Sequence, residues 1–60
     1  MIEISLFVNR EGRGRVKREV VPRIGETIII GCGEMVRVIE VSHDWDDPLF
    51  VQVNTVPVSE

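Results

Sequence analysis

Val21-Pro22-Arg23-Ile24-Gly25-Glu26-Thr27-Ile28-Ile29-Ile30-Gly31-Cys32-Gly33-Glu34-Met35-Val36-Arg37-Val38-Ile39-Glu40-Val41-Ser42-His43-Asp44-Trp45-Asp46-Asp47 is the stretch that decides the fold. Pro22 suits the start of a strand, because proline fixes φ and donates no backbone hydrogen bond. Gly25 supplies a positive φ at little steric cost, so Pro22 to Glu26 reads as a turn. Thr27-Ile28-Ile29-Ile30 is a run of β-branched residues too short for a helix, which predicts a well-buried strand. Gly31-Cys32-Gly33 then predicts a tight reversal.

A second, longer strand is expected from about Glu34 to His43. Its alternation slips by one residue at Val38-Ile39. A strict period of two would place Met35, Arg37, Ile39 and Val41 together. A β-bulge near Ile39 resolves the conflict, with Val36 and Val38 inward before it and Val41 inward after it. Such a bulge bends the strand, which is what a small barrel needs.

Outward from this stretch, Ile2, Ile4, Leu6 and Val8 share one face of a half-buried N-terminal strand. Phe7 falls on the opposite, polar face. Two readings stand for it: a cover over a neighbouring strand, or an anchor for a partner. Arg10 to Arg15 reads as a polar, glycine-containing turn leading to a strand at about Val16 to Val21, a hairpin with a basic tip. A last strand is expected from Leu49 to Val56, with Leu49, Val51 and Val53 inward. Pro57 stops it, and the final three residues are expected to fray. No segment carries a helical period. Five short strands in 60 residues predict one all-β domain over residues 1–60, an antiparallel, strongly bent five-stranded sheet closed into a small barrel.

A chain of this size buries only roughly 60% of its unfolded surface. One cysteine excludes an internal disulfide. Self-association into a homodimer would add burial. No apolar run approaches a membrane span, and Glu3 and Ser5 interrupt the N-terminal apolar stretch, so neither a membrane segment nor a signal peptide is expected. A lone cysteine without a secretory signal fits a reducing cytoplasm.

The net charge of −3 is unevenly placed: residues 10–23 carry +4 and residues 40–60 carry −5. The basic segment, Arg10, Arg13, Arg15, Lys17 and Arg18, is a candidate nucleic-acid surface, with Gly12 and Gly14 allowing close approach to phosphate. It lacks the aromatic platforms that stack bases. The plainer reading is a solvated hairpin tip, and a third is a surface for an acidic protein.

The acidic loop holds Asp44, Asp46 and Asp47 around Trp45. A calcium loop needs more ligands and a glycine turn, so no metal is expected. Asp44 and Asp46 are instead expected to accept backbone hydrogen bonds and cap the turn. Trp45 is either a plug over the open end of the barrel or an exposed anchor. With Phe7, these residues form the candidate protein-binding set. Cys32 has no base marked as its neighbour, His43 being the single histidine, so no catalytic residue, enzyme activity, cofactor or small-molecule substrate is expected.

Residues 21–48, VPRIGETIIIGCGEMVRVIEVSHDWDDP, resemble a pattern found in small uncharacterised bacterial and phage proteins. These pass through P-R-x-G-[DE] and reach a long strand ending in V-x-H-[DE]-[WFY]. The matching residues here are Pro22, Arg23, Gly25, Glu26, Val41, His43, Asp44 and Trp45. The resemblance implies an SH3-like small barrel and carries no reaction. The expectation is therefore a non-enzymatic interaction module that binds a protein partner or itself, with nucleic-acid binding through the basic hairpin as the alternative.

Overall fold

The computed structural model describes residues 1–31 and 33–58. It contains five strands: β1 (Ile2–Val8), β2 (Glu11–Arg18), β3 (Thr27–Ile30), β4 (Glu34–His43) and β5 (Phe50–Pro57). They form one sheet in the order β2-β1-β5-β4-β3. The sheet curls strongly into a half-barrel. Among the described residues, no helix is long and apolar enough to cross a membrane.

Two expectations about the architecture are corrected. The sheet is mixed, because β1 and β5 pair in parallel while the other pairs are antiparallel. Each of the four connections reverses the chain, so the first and fifth strands run the same way. Setting them side by side makes their pairing parallel. The barrel is also not closed: β2 pairs only with β1 and β3 only with β4, leaving both as edges. The connector from β2 to β3 passes beside Val41 and His43 of β4, and its Val21 packs against the core. An ion pair from Arg13 of β2 to Glu34 at the start of β4, 3.3 Å long, spans the gap further along.

The core lies on the concave face. Ile4, Val8, Val36, Val38, Val51 and Val53 are buried there, with Ile2, Leu6, Ile28 and Val41 packed against that cluster. The bulge occurs where the slipped alternation predicts it, between Val38 and Glu40 opposite Thr55 and Asn54. It leaves Ile39 unpaired and returns Val41 to the core side, opposite Val53. Among the described residues, Thr55 is the buried polar one; its hydroxyl donates to the Phe7 carbonyl at 2.8 Å, so its burial leaves no unmet hydrogen bond.

The turn before β3 forms as the sequence implies. Glu26 N–H donates to the Arg23 carbonyl at 3.1 Å, Gly25 has φ of 96°, and the Glu26 carboxylate accepts the Arg23 N–H at 2.8 Å. Gly25 N–H to Val38 O (2.8 Å) and Val38 N–H to Glu26 O (2.9 Å) dock this turn on β4. β3 itself differs from expectation. It is an edge rather than a well-buried strand, and Ile29 is 70% exposed.

The first hairpin is longer and tighter than expected. Its turn is Asn9-Arg10 alone, both at positive φ (51° and 69°), and Glu11–Arg18 is all strand. The glycines that read as a turn serve the strand instead. Gly14 sits at φ of 100° where β2 carries an extra residue between the partners of Ser5 and Phe7. Gly12 lies under Phe7: a Cβ there would make ordinary van der Waals contact with the ring, 3.8 Å away. Phe7 is thus a half-buried cover over the neighbouring strand.

Both central positions of this two-residue turn need a left-handed backbone, and glycine is the preferred second residue. Replacing Arg10 with glycine should therefore stabilise the fold by about 0.5–1 kcal/mol. Urea denaturation reads this directly; an unchanged or lower midpoint would count against the turn described.

At the other end, Leu49 is mostly exposed rather than inward. Its N–H is held by Asp47 and its carbonyl accepts Glu3 N–H at 2.7 Å, so it belongs to the turn before β5. Val58 N–H donates to Met35 O at 3.0 Å, so pairing runs past Pro57. The expected fraying of residues 59–60 lies outside the described residues.

Candidate functional site

The loop between β4 and β5 is fixed by its own aspartates. Asp44 Oδ1 accepts the Asp46 N–H at 2.9 Å, and Asp47 Oδ1 accepts the Leu49 N–H at 3.0 Å. Asp47 O accepts Phe50 N–H at 3.1 Å, and Phe50 O accepts Asp44 N–H at 3.3 Å. These bonds are the reason the chain turns here: the short side chains of Asp44 and Asp47 each supply a local acceptor two residues on. The capping pair is Asp44 and Asp47; Asp46, expected to cap, contributes its N–H.

Trp45 sits inside the segment closed by the Asp44–Asp46 bond and is 97% exposed. It does not plug the barrel end. The half-barrel has no closed rim for an indole to cover, and Val21 of the connector packs against the core instead. A tryptophan offering both ring faces to water on a hydrogen-bonded loop is a large apolar group without an internal partner. Neither of the ion pairs formed among the described residues involves Asp44, Asp46 or Asp47. Among those residues no three His, Cys, Asp or Glu side chains gather closely enough to hold a metal ion.

Phe7 does not join this loop. Phe7 pairs with Asn54, whereas the loop enters β5 at Phe50, which pairs with Glu3. The offset along β5 is about 13 Å. The expected partner-binding set therefore separates into the loop and a distant strand cover.

The basic segment is divided as well. Val16 lies opposite Ile4 and Arg18 opposite Ile2, so Val16 and Arg18 face the concave side, while Arg15 and Lys17 pair with Ser5 and Glu3 on the convex side. Arg13 is paired with Glu34; Arg15 pairs with Glu3 at 3.2 Å and lies over the Phe50 ring, 5.5 Å from its centre. Arg18 donates to the Lys17 carbonyl at 2.9 Å. Arg10 is in the turn. These cations do not form one continuous stripe.

Two features escaped the sequence reading. One is the Arg15–Phe50 contact, which depends on the pairing of β1 with β5. The other is an apolar trough of about 510 Å³ on the concave face, lined by residues including Ile4, Leu6, Val16, Ile28 and Val53, with Arg13 and Arg18 also at its walls. The alternation of Val16 with Arg18 was the available signal, but it points to a trough only once the barrel is known to be open. His43 is exposed and lies beside Arg23 and Ile24. Cys32 is outside the described residues.

Fold and loop together define a curled five-stranded β module that presents a fixed aromatic and acidic loop. Comparison with known proteins returns no matching family model, curated protein or solved structure.

Proposed function

We propose that this chain is a non-enzymatic, cytoplasmic interaction module that captures a protein partner through Trp45, with Asp44, Asp46 and Asp47 around it. The observation that carries this reading is the 97% exposure of Trp45 on a loop where one side-chain hydrogen bond spans it and a second follows it. A fixed loop loses little conformational freedom on binding, so the indole's burial in a partner is not offset by ordering. The matching partner surface is an apolar pocket bordered by lysine or arginine. The resemblance of residues 21–48 to small bacterial and phage proteins motivates a bacterial or phage-borne setting. Capture from a bacterial lysate tests the reading: a specific partner retained by the native chain and lost with Trp45→Ala is expected. Equal retention by both would remove Trp45 from the interface.

Nucleic-acid binding through Arg10, Arg13, Arg15, Lys17 and Arg18 is the second reading. In its favour, β2 is exposed along its whole length. Against it, the cations divide between two faces, and two of them are neutralised by Glu34 and Glu3. Affinity for duplex or single-stranded DNA is therefore expected to be unmeasurable even near ~50 mM salt. Measurable binding that falls steeply as salt rises, and that is lost in Lys17→Glu, would replace the protein-partner reading.

A further inference from the structure

The two edges of the half-barrel differ in how they are protected. β2 carries Arg13, Arg15, Lys17 and Arg18 and a bulge at Gly14, devices that discourage another strand from pairing there. Thr27–Ile30 carries no charge and pairs only with β4. Its backbone direction follows from Val38 N–H donating to Glu26 O. Alternate residues of an antiparallel strand aim their N–H and C=O groups at opposite neighbours. Glu26, Ile28 and Ile30 therefore aim at β4, while Thr27 and Ile29 aim at the open edge. Ile29 is 70% exposed, and its cross-strand neighbour Met35 is 48% exposed on the same outer face.

We propose that β3 is a homodimerisation edge, where a second copy of this chain adds its own β3 in antiparallel register centred on Ile29. Self-pairing by a two-fold axis requires residues of the same face to meet. Centring on Ile29 satisfies this: Ile29 meets Ile29 of the second copy on the outer face, and Ile28 meets Ile30 on the concave face. The central pair exchanges backbone hydrogen bonds in both directions. A second copy fits because the edge is uncharged and self-complementary in side chains, whereas the basic β2 edges of two copies repel each other. The interface is independent of Trp45.

Sedimentation velocity on the full chain, from about 5 μM to about 1 mM, tests this by mass action. The native chain is expected to shift from monomer to dimer, and Ile29→Lys to lower the dimer fraction at least about tenfold, because two ammonium groups then face each other. Trp45→Ala is expected to dimerise like the native chain, so failure here and failure of the partner-capture reading are separable. Amide exchange on the native chain covers the case of an unfolded Ile29→Lys variant: Thr27 and Ile29 should gain protection with concentration. A monomer across the whole range, a dimer indifferent to Ile29→Lys, or concentration-dependent protection at residues 11–18 instead would each overturn the proposal.

Discussion

Val53→Ala is expected to lower the free energy of unfolding by about 2–3 kcal/mol. Val53 is 0% exposed and sits at the middle of the curled sheet, paired with Leu6 on one side and Val41 on the other. Each buried methylene lost costs about 0.8 kcal/mol in transfer, and the cavity adds to that because strands pinned on both sides cannot collapse into it. In a domain this small the change corresponds to a fall in Tm of about 10–20 °C. Val20→Ala removes the same atoms from a side chain that is 76% exposed, and should stay within about 0.5 kcal/mol of the native value. Thermal unfolding followed by circular dichroism compares the two directly. Similar losses for both variants would mean that the core is not where Val53 lies.

Trp45→Ala should do the reverse, leaving stability within about 0.5 kcal/mol of native while weakening partner binding at least about 30-fold. The indole touches too little of its own protein to support the fold, and a central buried tryptophan commonly carries 2 kcal/mol or more of an interface, as an order of magnitude. Phe7→Ala is the informative contrast. Phe7 covers Gly12 and is half-buried, so its loss should reduce stability while sparing the loop. Isothermal titration with the captured partner, alongside urea unfolding, separates the two roles. A Trp45→Ala variant that binds normally but melts early would reverse the assignment.

What could be read from the residues was local. The alternation of Ile2, Ile4, Leu6 and Val8, the turn at Arg23 to Glu26 and the slip at Ile39 each depend on neighbours within a few positions, and each appears in place. The parallel pairing of β1 with β5 joins residues some 47 positions apart, such as Glu3 and Phe50, and no local pattern encodes it. From that pairing follows the Arg15–Phe50 contact; the barrel is open and β3 an edge because β2 and β3 do not pair with each other. The hairpin was misread for a different reason. Gly12 and Gly14 look like turn residues, but one lies in the strand under Phe7 and the other sits in a bulge, while Asn9-Arg10 turns the chain with a single arginine where glycine is preferred. The loop was legible in composition and not in exposure: its aspartates announced a turn, but only an open rim leaves Trp45 in water.

The parallel contact between the first and last strands also determines how the molecule answers a mechanical load. β1 begins beside Phe50 and β5 ends beyond Val8, so a pull applied through the two termini slides these strands past each other lengthwise. The ladder between them is then strained in shear, with its hydrogen bonds sharing the force, rather than unzipped bond by bond. Tethered end to end, this small sheet resists extension along its most cooperative seam, while β2, bonded only to β1 and outside the line of force, carries almost none of the tension.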